Sequence, residues 1–290
     1  MRVALVTYSR LLSLSADDRL LLAPLAERGV HAEAAAWDDP TVAWDSFDTL
    51  VVRSTWNYHL SPEAFRAWID RMDTLGVPIW NSPPVLRWNA SKTYLRDLHE
   101  RGVGVVPTRW VERERPARLA DVLDEGRLSA AVVKPAISAS AYETWRVDRD
   151  RIAPEDEARF ARLCASGTVM VQPFVPELAR DGEWSLLFIG GEYSHAVVKR
   201  PRPGDFRVQH EHGGSAQPRI PASDVLATAR AILTHAPGRW LYARVDGVEI
   251  AGRFVLVELE MLEPSMFLGA ERSAPQRFAE AILQAGEVDR

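Results

Sequence analysis

The chain of 290 residues is 47% hydrophobic and 26% charged, which is typical of a globular protein, and its length predicts two or three packed units. Its net charge of −5 argues against a general nucleic-acid binder, and no segment approaches the roughly 20 apolar residues that a membrane helix needs. The only cysteine, Cys164, cannot form an internal disulfide, so nothing indicates an oxidising compartment, and we expect a cytoplasmic protein without nucleic-acid or membrane partners.

The first ninety residues alternate between strand-like and helix-like patterns. The spacing of leucines predicts a helix over 17–28 that ends at Gly29, and Ser61-Pro62-Glu63 is typical of the start of a second helix. Alternating elements of this kind predict a parallel α/β sheet with right-handed crossovers. Short apolar runs predict its strands at 2–7, 30–37, 49–53 and 77–81.

Polar residues come at the end of the third predicted strand and just after it. They are Arg53, Ser54 and Tyr58. Because open α/β sheets bind their ligands at the carboxyl ends of the strands, these residues are candidate substrate contacts.

The rest of the chain has the mixed pattern of α+β units, and Gly190-Gly191 and Ala251-Gly252 are typical of hairpin turns. We expect three units, at 1–90, 91–175 and 176–290. Strands are predicted at 105–111, 130–133, 144–147, 168–172, 184–189, 193–199, 242–249 and 253–260. Helices are predicted at 91–101, 119–128, 155–165, 223–235 and 275–285, the first and fourth with serine caps, and a loop at 201–218.

The second hairpin carries a group of acids. Alternation places Glu258 and Glu260 on one face of its last strand, and Asp246 lies on the partner strand. Such carboxylates repel each other unless a cation lies between them, and three oxygen ligands suit Mg²⁺ that carries nucleotide phosphates. The alternative is a solvated hairpin face. A solvated face is the more common of the two, and Glu263, followed closely by Ser265, narrows the difference because it adds an acid at the same end.

Lysine is rare in this chain, where arginine supplies most of the positive charge. Lys134 and Lys199 each end an apolar strand, and a compact cation there suits a phosphate group. The alternative for each lysine is a side chain that simply extends to solvent.

The segment 171–177 contains two prolines, which stiffen an extended connector. It is suited to hold a planar base, with Glu177 accepting from ribose hydroxyls, although a domain hinge would look similar. The common phosphate-loop, dinucleotide, zinc-protease and serine-hydrolase motifs are absent from the sequence. His210-Glu211-His212 is better explained as a polar loop than as a metal site.

Taken in order, these segments resemble the ATP-grasp superfamily over nearly the whole chain. By this resemblance, the first ninety residues form a pre-ATP-grasp domain, and Lys92 and Lys134 are the two nucleotide lysines. Gly204-Asp205-Phe206-Arg207 is similar to a segment of glutathione synthetase-like and RimK-like ligases. The other matches are an adenine-binding hinge at Gln172, Pro173, Phe174 and Val175, the ribose carboxylate Glu177, and metal segments at Arg244-Val245-Asp246 and Glu258-Leu259-Glu260.

Two features depart from the family pattern. The usual glycine-rich loop is replaced by small residues over 136–142, where Ser138 and Ser140 are placed to bond phosphate oxygens. Glu260 stands where the family has a metal-binding asparagine. Across the chain, the Arg53–Tyr58, Arg87–Asn89 and Glu258–Ser265 segments are most similar to a branch that contains the O-ureido-serine cyclo-ligase of cycloserine biosynthesis.

The resemblance implies an ATP-grasp fold of α/β and α+β units and an ADP-forming carboxylate–amine ligase with ATP and Mg²⁺ as cofactors. Its substrates would be a small carboxylate, activated as an acyl phosphate, and a nitrogen nucleophile, with cyclisation of an amino-acid-like substrate as one form; a homodimer is left open. Alternatives are a small-molecule kinase or a nucleotide-binding module without turnover. Lys199, Arg207 and Arg244 are the candidate catalytic residues, and Arg53, Ser54, Tyr58, Glu263 and Ser265 the candidate substrate contacts.

Overall fold

The computed structural model describes residues 1–115, 117–202, 205, 207 and 213–288. Its first sheet is parallel, with the strand order β2-β1-β3-β4. The strands are β1 (Arg2–Thr7), β2 (His31–Ala36), β3 (Thr49–Val52) and β4 (Ile79–Trp80). All four residues of β3 are buried, as a continuous apolar strand covered on both faces requires. The predicted N-terminal parallel α/β unit is thus confirmed.

The helices of this part are α1 (Ala16–Arg19), α2 (Leu22–Glu27), α3 (Pro62–Leu75) and α4 (Pro83–Asn89). The single helix predicted over 17–28 is wrong, because Pro24 has no N–H to donate to the carbonyl of Leu20 and the chain forms two short helices. Helix α3 ends where predicted, at Gly76 with a φ of 75°.

The second sheet is antiparallel, with the order β5-β8-β6-β7. In chain order, the helices and strands of this part are α5 (Tyr94–Glu100), β5 (Arg109–Val111), α6 (Leu119–Gly126), β6 (Ala130–Pro135), β7 (Trp145–Asp148), α7 (Pro154–Ser166) and β8 (Val169–Pro173). Cys164 is buried in its core beside Phe160 and Leu123, as expected of a packed helix residue.

The third sheet is antiparallel, with the order β11-β10-β9-β12-β13. In chain order, the helices and strands of this last part are α8 (Pro176–Arg180), β9 (Glu183–Ile189), β10 (Glu192–Arg200), β11 (Ser215–Pro218), α9 (Ser223–Leu233), β12 (Tyr242–Ile250), β13 (Arg253–Glu260) and α10 (Ala274–Val288). The end of the predicted loop 201–218 is a strand, because its backbone pairs with β10. Ala222, and not Ser223, occupies the N-cap of α9.

The last helix returns to the first sheet. Phe278 and Ile282 of α10 share a buried cluster with Leu5, Leu21 and Leu25. The division at residues 90 and 175 stays a prediction. Among the described residues, no helix has the length and apolar character needed to cross a membrane.

Candidate active site

A cavity of about 650 Å³ lies where the three sheets meet. Tyr58 lines it from the first part of the chain, Lys134 and Gln172 from the second sheet, and Asp246 and Glu258 from the third. The whole chain contains only three lysines, and all three line this one cavity. Such a concentration of compact cations is what a polyanionic ligand requires.

Three carboxylates converge on one side of the cavity. The antiparallel register places Asp246 of β12 opposite Glu258 of β13, and strand alternation brings Glu260 to the same face. One oxygen of each lies within 4.8 Å of the others. Because a hard cation prefers carboxylate oxygens, this donor set fits Mg²⁺.

The acids are interleaved with bases at ion-pair distance. Lys92 Nζ lies 2.9 Å from Glu258, and Lys199 Nζ lies 2.9 Å from Asp246 and 3.1 Å from Glu183. The Arg244 guanidinium lies 3.0 Å from Asp246 and 2.6 Å from Glu260. The site therefore holds most of its charges in a network, and a ligand that bonds these paired groups must exchange partners with them.

The acids of this network do not ionise equally. Although burial opposes its charge, Arg244 and Lys199 hold the pKa of Asp246 at about 2. Burial raises the pKa of Glu260 to about 7, and Glu258 adds repulsion that Arg244 only partly offsets. Burial and the neighbouring Glu260 raise the pKa of Glu263 to about 8. The cluster thus carries more carboxylate than its bases neutralise, which is a further reason why a cation fits.

Lys134 ends β6 at the cavity wall. Among the described residues, no acid lies within 4 Å of its ammonium group, and burial lowers the pKa of that group. Its positive charge is therefore costly to keep in the free protein and available to a phosphate.

The predicted base-binding connector also reaches the cavity. Gln172, Pro173, Phe174 and Val175 all line it, and the Arg146 guanidinium lies 4.2 Å from the centre of the Phe174 ring. Glu177, on α8, is not among the lining residues.

The loop over 136–144 covers the same opening. Ser138 and Ser140 line the cavity, and the backbone carbonyl of Ser138 accepts from Lys92 Nζ at 2.7 Å. Farther along this loop, the ring of Tyr142 packs on His59 of the N-terminal part, with 4.8 Å between ring centres. In this structure the loop therefore bridges the second sheet and the N-terminal part across the cavity.

The candidate substrate contacts divide into two groups. Tyr58, Glu263 and Ser265 line the cavity. Arg53 and Ser54 do not, because their buried side chains face Asp18: Arg53 Nε donates to Asp18 at 2.9 Å, and the Ser54 hydroxyl donates to the same carboxylate. Their predicted substrate contact stays untested.

The candidate catalytic residue Arg207 also lines the cavity. Arg207 pairs with Asp205 at 2.9 Å. Gly204 and Phe206 of the same predicted motif lie outside the described residues, as does His210-Glu211-His212.

The segment 261–268, which follows β13, is held by side chains from distant parts of the chain. Its consecutive carbonyls have no sheet partner, and each has a side-chain nitrogen or hydroxyl within 3.1 Å. These side chains, in the order of the carbonyls from 261 to 267, are Asn81, Tyr242, Trp56, Arg53, Arg244 and, for the last two, His195. The Asp17 carboxylate accepts from the N–H groups of Met266 and Leu268 at 2.7 and 2.6 Å. The backbone that presents Glu263 and Ser265 is thus fixed.

Sequence reasoning missed Glu183, Trp56 and Asn89, which also line the cavity. Glu183 lies opposite Lys199 only because the register shifts by one residue between Tyr193 and His195, and the turn at Gly190-Gly191 alone does not predict that shift. No local pattern marks the other two.

A family model described as the N-terminal domain of the D-cycloserine synthetase DcsG matches residues 3–81. Over almost its whole length, the chain is similar to the cycloserine biosynthesis protein DcsG of Streptomyces lavendulae. The identity is 33% over 298 residues, which cover 97% of this chain and 98% of that protein.

Solved structures agree with this similarity. The crystal structure of a D-cycloserine synthetase DcsG matches with a TM-score of 0.88 and 30% identity, and both chains are fully covered. A RimK-domain ATP-grasp protein from Sphaerobacter thermophilus matches with a TM-score of 0.69 at 18% identity, over 98% of this chain and 100% of that one, which shows a shared fold.

Proposed function

The chain belongs to the family of the D-cycloserine synthetase DcsG within the ATP-grasp ligases, and from this we propose that it joins a carboxylate to a nitrogen nucleophile with release of ADP and phosphate. The observation that carries the proposal is the carboxylate cluster of Asp246, Glu258 and Glu260 beside all the lysines of the chain. A metal–polyphosphate ligand is the group whose charges match both sets.

ATP and Mg²⁺ are the cofactors, and the residues of the cavity suit them. The carboxylate cluster would hold Mg²⁺, which supplies neutralisation of phosphate charge. Lys92, Lys134 and Lys199 would bind the phosphates, while the connector 172–175 takes the adenine. Ser138 and Ser140 of the covering loop would bond phosphate oxygens.

In the first step, an oxygen of the substrate carboxylate attacks the γ-phosphorus of ATP. The bond between that phosphorus and the bridging oxygen breaks, ADP leaves, and the substrate becomes an acyl phosphate. The transferred group carries its charge on its outer oxygens, so the work of the protein is to position the reactants and stabilise that charge, which the lysines do.

In the second step, the nitrogen attacks the acyl carbon, the bond from that carbon to the phosphate oxygen breaks, and the nitrogen loses a proton. Inorganic phosphate leaves. Arg244 and Arg207 line the cavity and would hold the oxyanion, because a guanidinium fork matches its geometry. The loop 136–144 would exclude water, which would otherwise hydrolyse the acyl phosphate.

The similarity to a cycloserine synthetase favours ring closure within one small amino-acid-like molecule over the joining of two. We place this reaction in the cytoplasm. A homodimer is one proposed assembly.

ADP release with amino acids, dipeptides and ureido compounds, O-ureido-serine among them, tests the proposal. The active compound should give a product whose mass reports C–N bond formation, and added hydroxylamine should trap the activated acid as a hydroxamate. A stable phosphoester formed without any amine would indicate a kinase instead. If none of the compounds releases ADP, the proposed reaction is wrong.

A further inference from the structure

The strand β13 carries two of the three acids of the carboxylate cluster, Glu258 and Glu260, at one edge of the third sheet. In the described part of the chain, no further strand of that sheet covers its outer edge, so the peptide groups there need other partners. The backbone of 104–106 supplies them for Leu256, which donates to the carbonyl of Gly104 at 2.8 Å and accepts from the N–H of Val106 at 3.0 Å. Around Glu260 the partners are side chains.

Asn89, the last residue of α4, takes the place of a neighbouring strand beside Glu260. Its Nδ2 donates to the carbonyl of Leu259 at 2.7 Å, and its Oδ1 accepts from the N–H of Met261 at 2.7 Å. These two groups belong to the peptide units directly before and after Glu260. One side chain therefore holds both backbone dihedrals of Glu260, as a residue of a parallel strand would.

Tyr94 completes the same edge. Its hydroxyl accepts from the N–H of Leu259 at 3.0 Å, so side chains bond both backbone polar groups of Leu259. Asn89 and Tyr94 are only 7% and 2% exposed, and water therefore competes little for these bonds. Asn89 lines the cavity, but both polar atoms of its side chain are bonded to the backbone of 259–261. It is thus placed to hold an acid of the cluster rather than to touch the nucleotide.

Glu260 needs this support because opposing forces act on its side chain. The guanidinium of Arg244, its partner on β12, lies 2.6 Å from its carboxylate, whereas the like charge of Glu258 repels it. A magnesium ion demands nearly ideal distances and angles from its oxygen ligands. A backbone that is fixed on both sides of Glu260 limits how far its carboxylate can move from those of Asp246 and Glu258.

We propose that Asn89 is a positioning residue of the metal site. It holds the backbone of Glu260 so that this carboxylate meets Mg²⁺ together with those of Asp246 and Glu258, and Tyr94 supports it from the neighbouring residue. The inference rests on the proposed function and adds to its metal site a residue that is not a ligand. Loss of the Asn89 amide should leave all three acids in the protein but weaken their joint hold on the metal.

The test measures how strongly the protein couples the metal to the nucleotide. Calorimetry would give the Kd of a non-hydrolysable ATP analogue with excess Mg²⁺ and again with EDTA, and the magnesium ratio is the second Kd divided by the first. In the unmodified protein this ratio should be roughly 10–100. In Asn89→Leu it should fall roughly five- to tenfold, because an outer partner of a metal ligand is lost. The Kd with EDTA should stay within about twofold, because the lysines that bind the phosphates are unchanged.

Two further variants separate positioning from general stability. Tyr94→Phe removes one hydroxyl and keeps the buried ring, so the magnesium ratio should fall less, about two- to threefold. Asn57→Leu is the matched control, because Asn57 also bonds two partners, Trp37 Nε1 at 2.7 Å and the Asp38 carboxylate at 3.0 Å, but does not line the cavity. It should lower the melting temperature, as Asn89→Leu does, and keep the full magnesium ratio.

A double-mutant cycle shows whether Asn89 acts through Glu260. Glu260→Gln alone should lower the magnesium ratio, and adding Asn89→Leu to it should lower the ratio further by less than about twofold. Effects that multiply in full would overturn the inference, as would a ratio in Asn89→Leu that stays within about twofold of the unmodified value. If Asn89→Leu does not fold, Tyr94→Phe decides, and an unchanged ratio there is the contrary result.

ADP release measured in parallel judges the reaction separately. A magnesium ratio that falls in Asn89→Leu, without ADP release from any of the compounds, would overturn the ligase and keep the inference. ADP release together with a magnesium ratio near one in the unmodified protein would keep the ligase and overturn the inference.

Discussion

Lys134 is the cavity lysine whose charge depends most on a ligand. Lys92 and Lys199 have acids at 2.9 Å, whereas no described acid lies that close to Lys134, whose pKa is lowered by burial. A paired lysine must weaken or break its ion pair when it binds a phosphate. A lysine without an acidic partner binds the phosphate without that loss.

Lys134→Ala should therefore raise the Kd for ATP roughly 10–100-fold, the range for a lost charged hydrogen bond. The melting temperature without ligand should not fall, because the variant removes a buried charge that lacks a partner. Arg149→Ala, which removes an exposed cation near β7, is the control and should leave ATP binding unchanged. An unaltered Kd in Lys134→Ala would remove this lysine from the nucleotide site.

Of the three acids in the carboxylate cluster, Glu260 is the one whose charged form is least favoured in the folded protein. Its pKa is raised to about 7 by burial and by Glu258, so the folded protein holds a proton there that an unfolded glutamate would release. The contribution of Glu260 to stability is thus full below about pH 4.5 and is lost as the pH rises toward 7.

At pH 8 without metal, Glu260→Gln should be as stable as the unmodified protein or more stable, by on the order of 1 kcal/mol, and the difference should vanish near pH 4. Turnover of the variant should need more magnesium, because one charged ligand is gone. Glu112→Gln provides a contrast, since Thr168 and Arg96 lower the pKa of Glu112 and its loss should destabilise. Melting curves and a magnesium titration measure both effects, and an unshifted magnesium requirement would exclude Glu260 from the metal site.

Of all parts of the fold, the segment 261–268 is the one that local sequence patterns predict least. The strands were predictable from short apolar runs, but a register shift between Asp246 and Gly247, which no local pattern predicts, is what sets Asp246 opposite Glu258. The same reasoning could not find a segment whose carbonyls are bonded by side chains 20 to 211 positions away, such as Tyr242 and Arg53. Such contacts arise from tertiary packing, which the spacing of apolar residues along the chain does not reveal.

Arg53 supports this segment and is not among the residues that line the cavity. It is buried, pairs with Asp18, donates to the carbonyl of Pro264, and lies 4.8 Å from the ring centre of Tyr242. A lysine could keep one of these contacts but not all, because it lacks the planar fork.

Arg53→Lys should raise the KM for the carboxylate substrate roughly tenfold, change the KM for ATP less than about twofold, and lower the melting temperature by a few degrees. Steady-state kinetics with each substrate varied in turn would measure this separation. Equal increases in both KM values would show a general loss of structure, and no increase in either would remove Arg53 from the support of the segment.

For the whole molecule, the cavity exists only because parts distant in the chain close around it. The parallel direction of the strands in the first sheet was foreseeable from local patterns, and so were the antiparallel hairpins. The packing of α10 against the first sheet was not foreseeable, because the apolar face of an amphipathic helix does not reveal which surface it will cover. The loop 136–144 spans the same junction through the contact of Tyr142 with His59.

Tyr142→Ala should loosen this closure and let water reach the proposed acyl phosphate. ADP should then be released in excess over ligated product, with a ratio clearly above one, while the affinity for ATP changes little. Ile220→Ala, which alters an apolar residue that is 94% exposed, is the control and should keep the ratio near one. A ratio near one in Tyr142→Ala would show that the ring contact does not seal the site.

The confinement of all three lysines to the cavity determines how the protein responds to amine chemistry. Its exterior takes its positive side-chain charge from arginine and histidine, so acylating dyes, amine cross-linkers and amine-coupled sensor surfaces meet no ε-amino group outside the cavity. Apart from the terminal α-amine, these reagents could react only with lysines of the cavity, where they would inactivate the enzyme and where bound nucleotide would slow them. Reductive methylation with ¹³C-formaldehyde would convert each lysine to a labelled dimethylamine, so that three resonances in an NMR spectrum, besides that of the terminal α-amine, would follow the filling and closing of a single site.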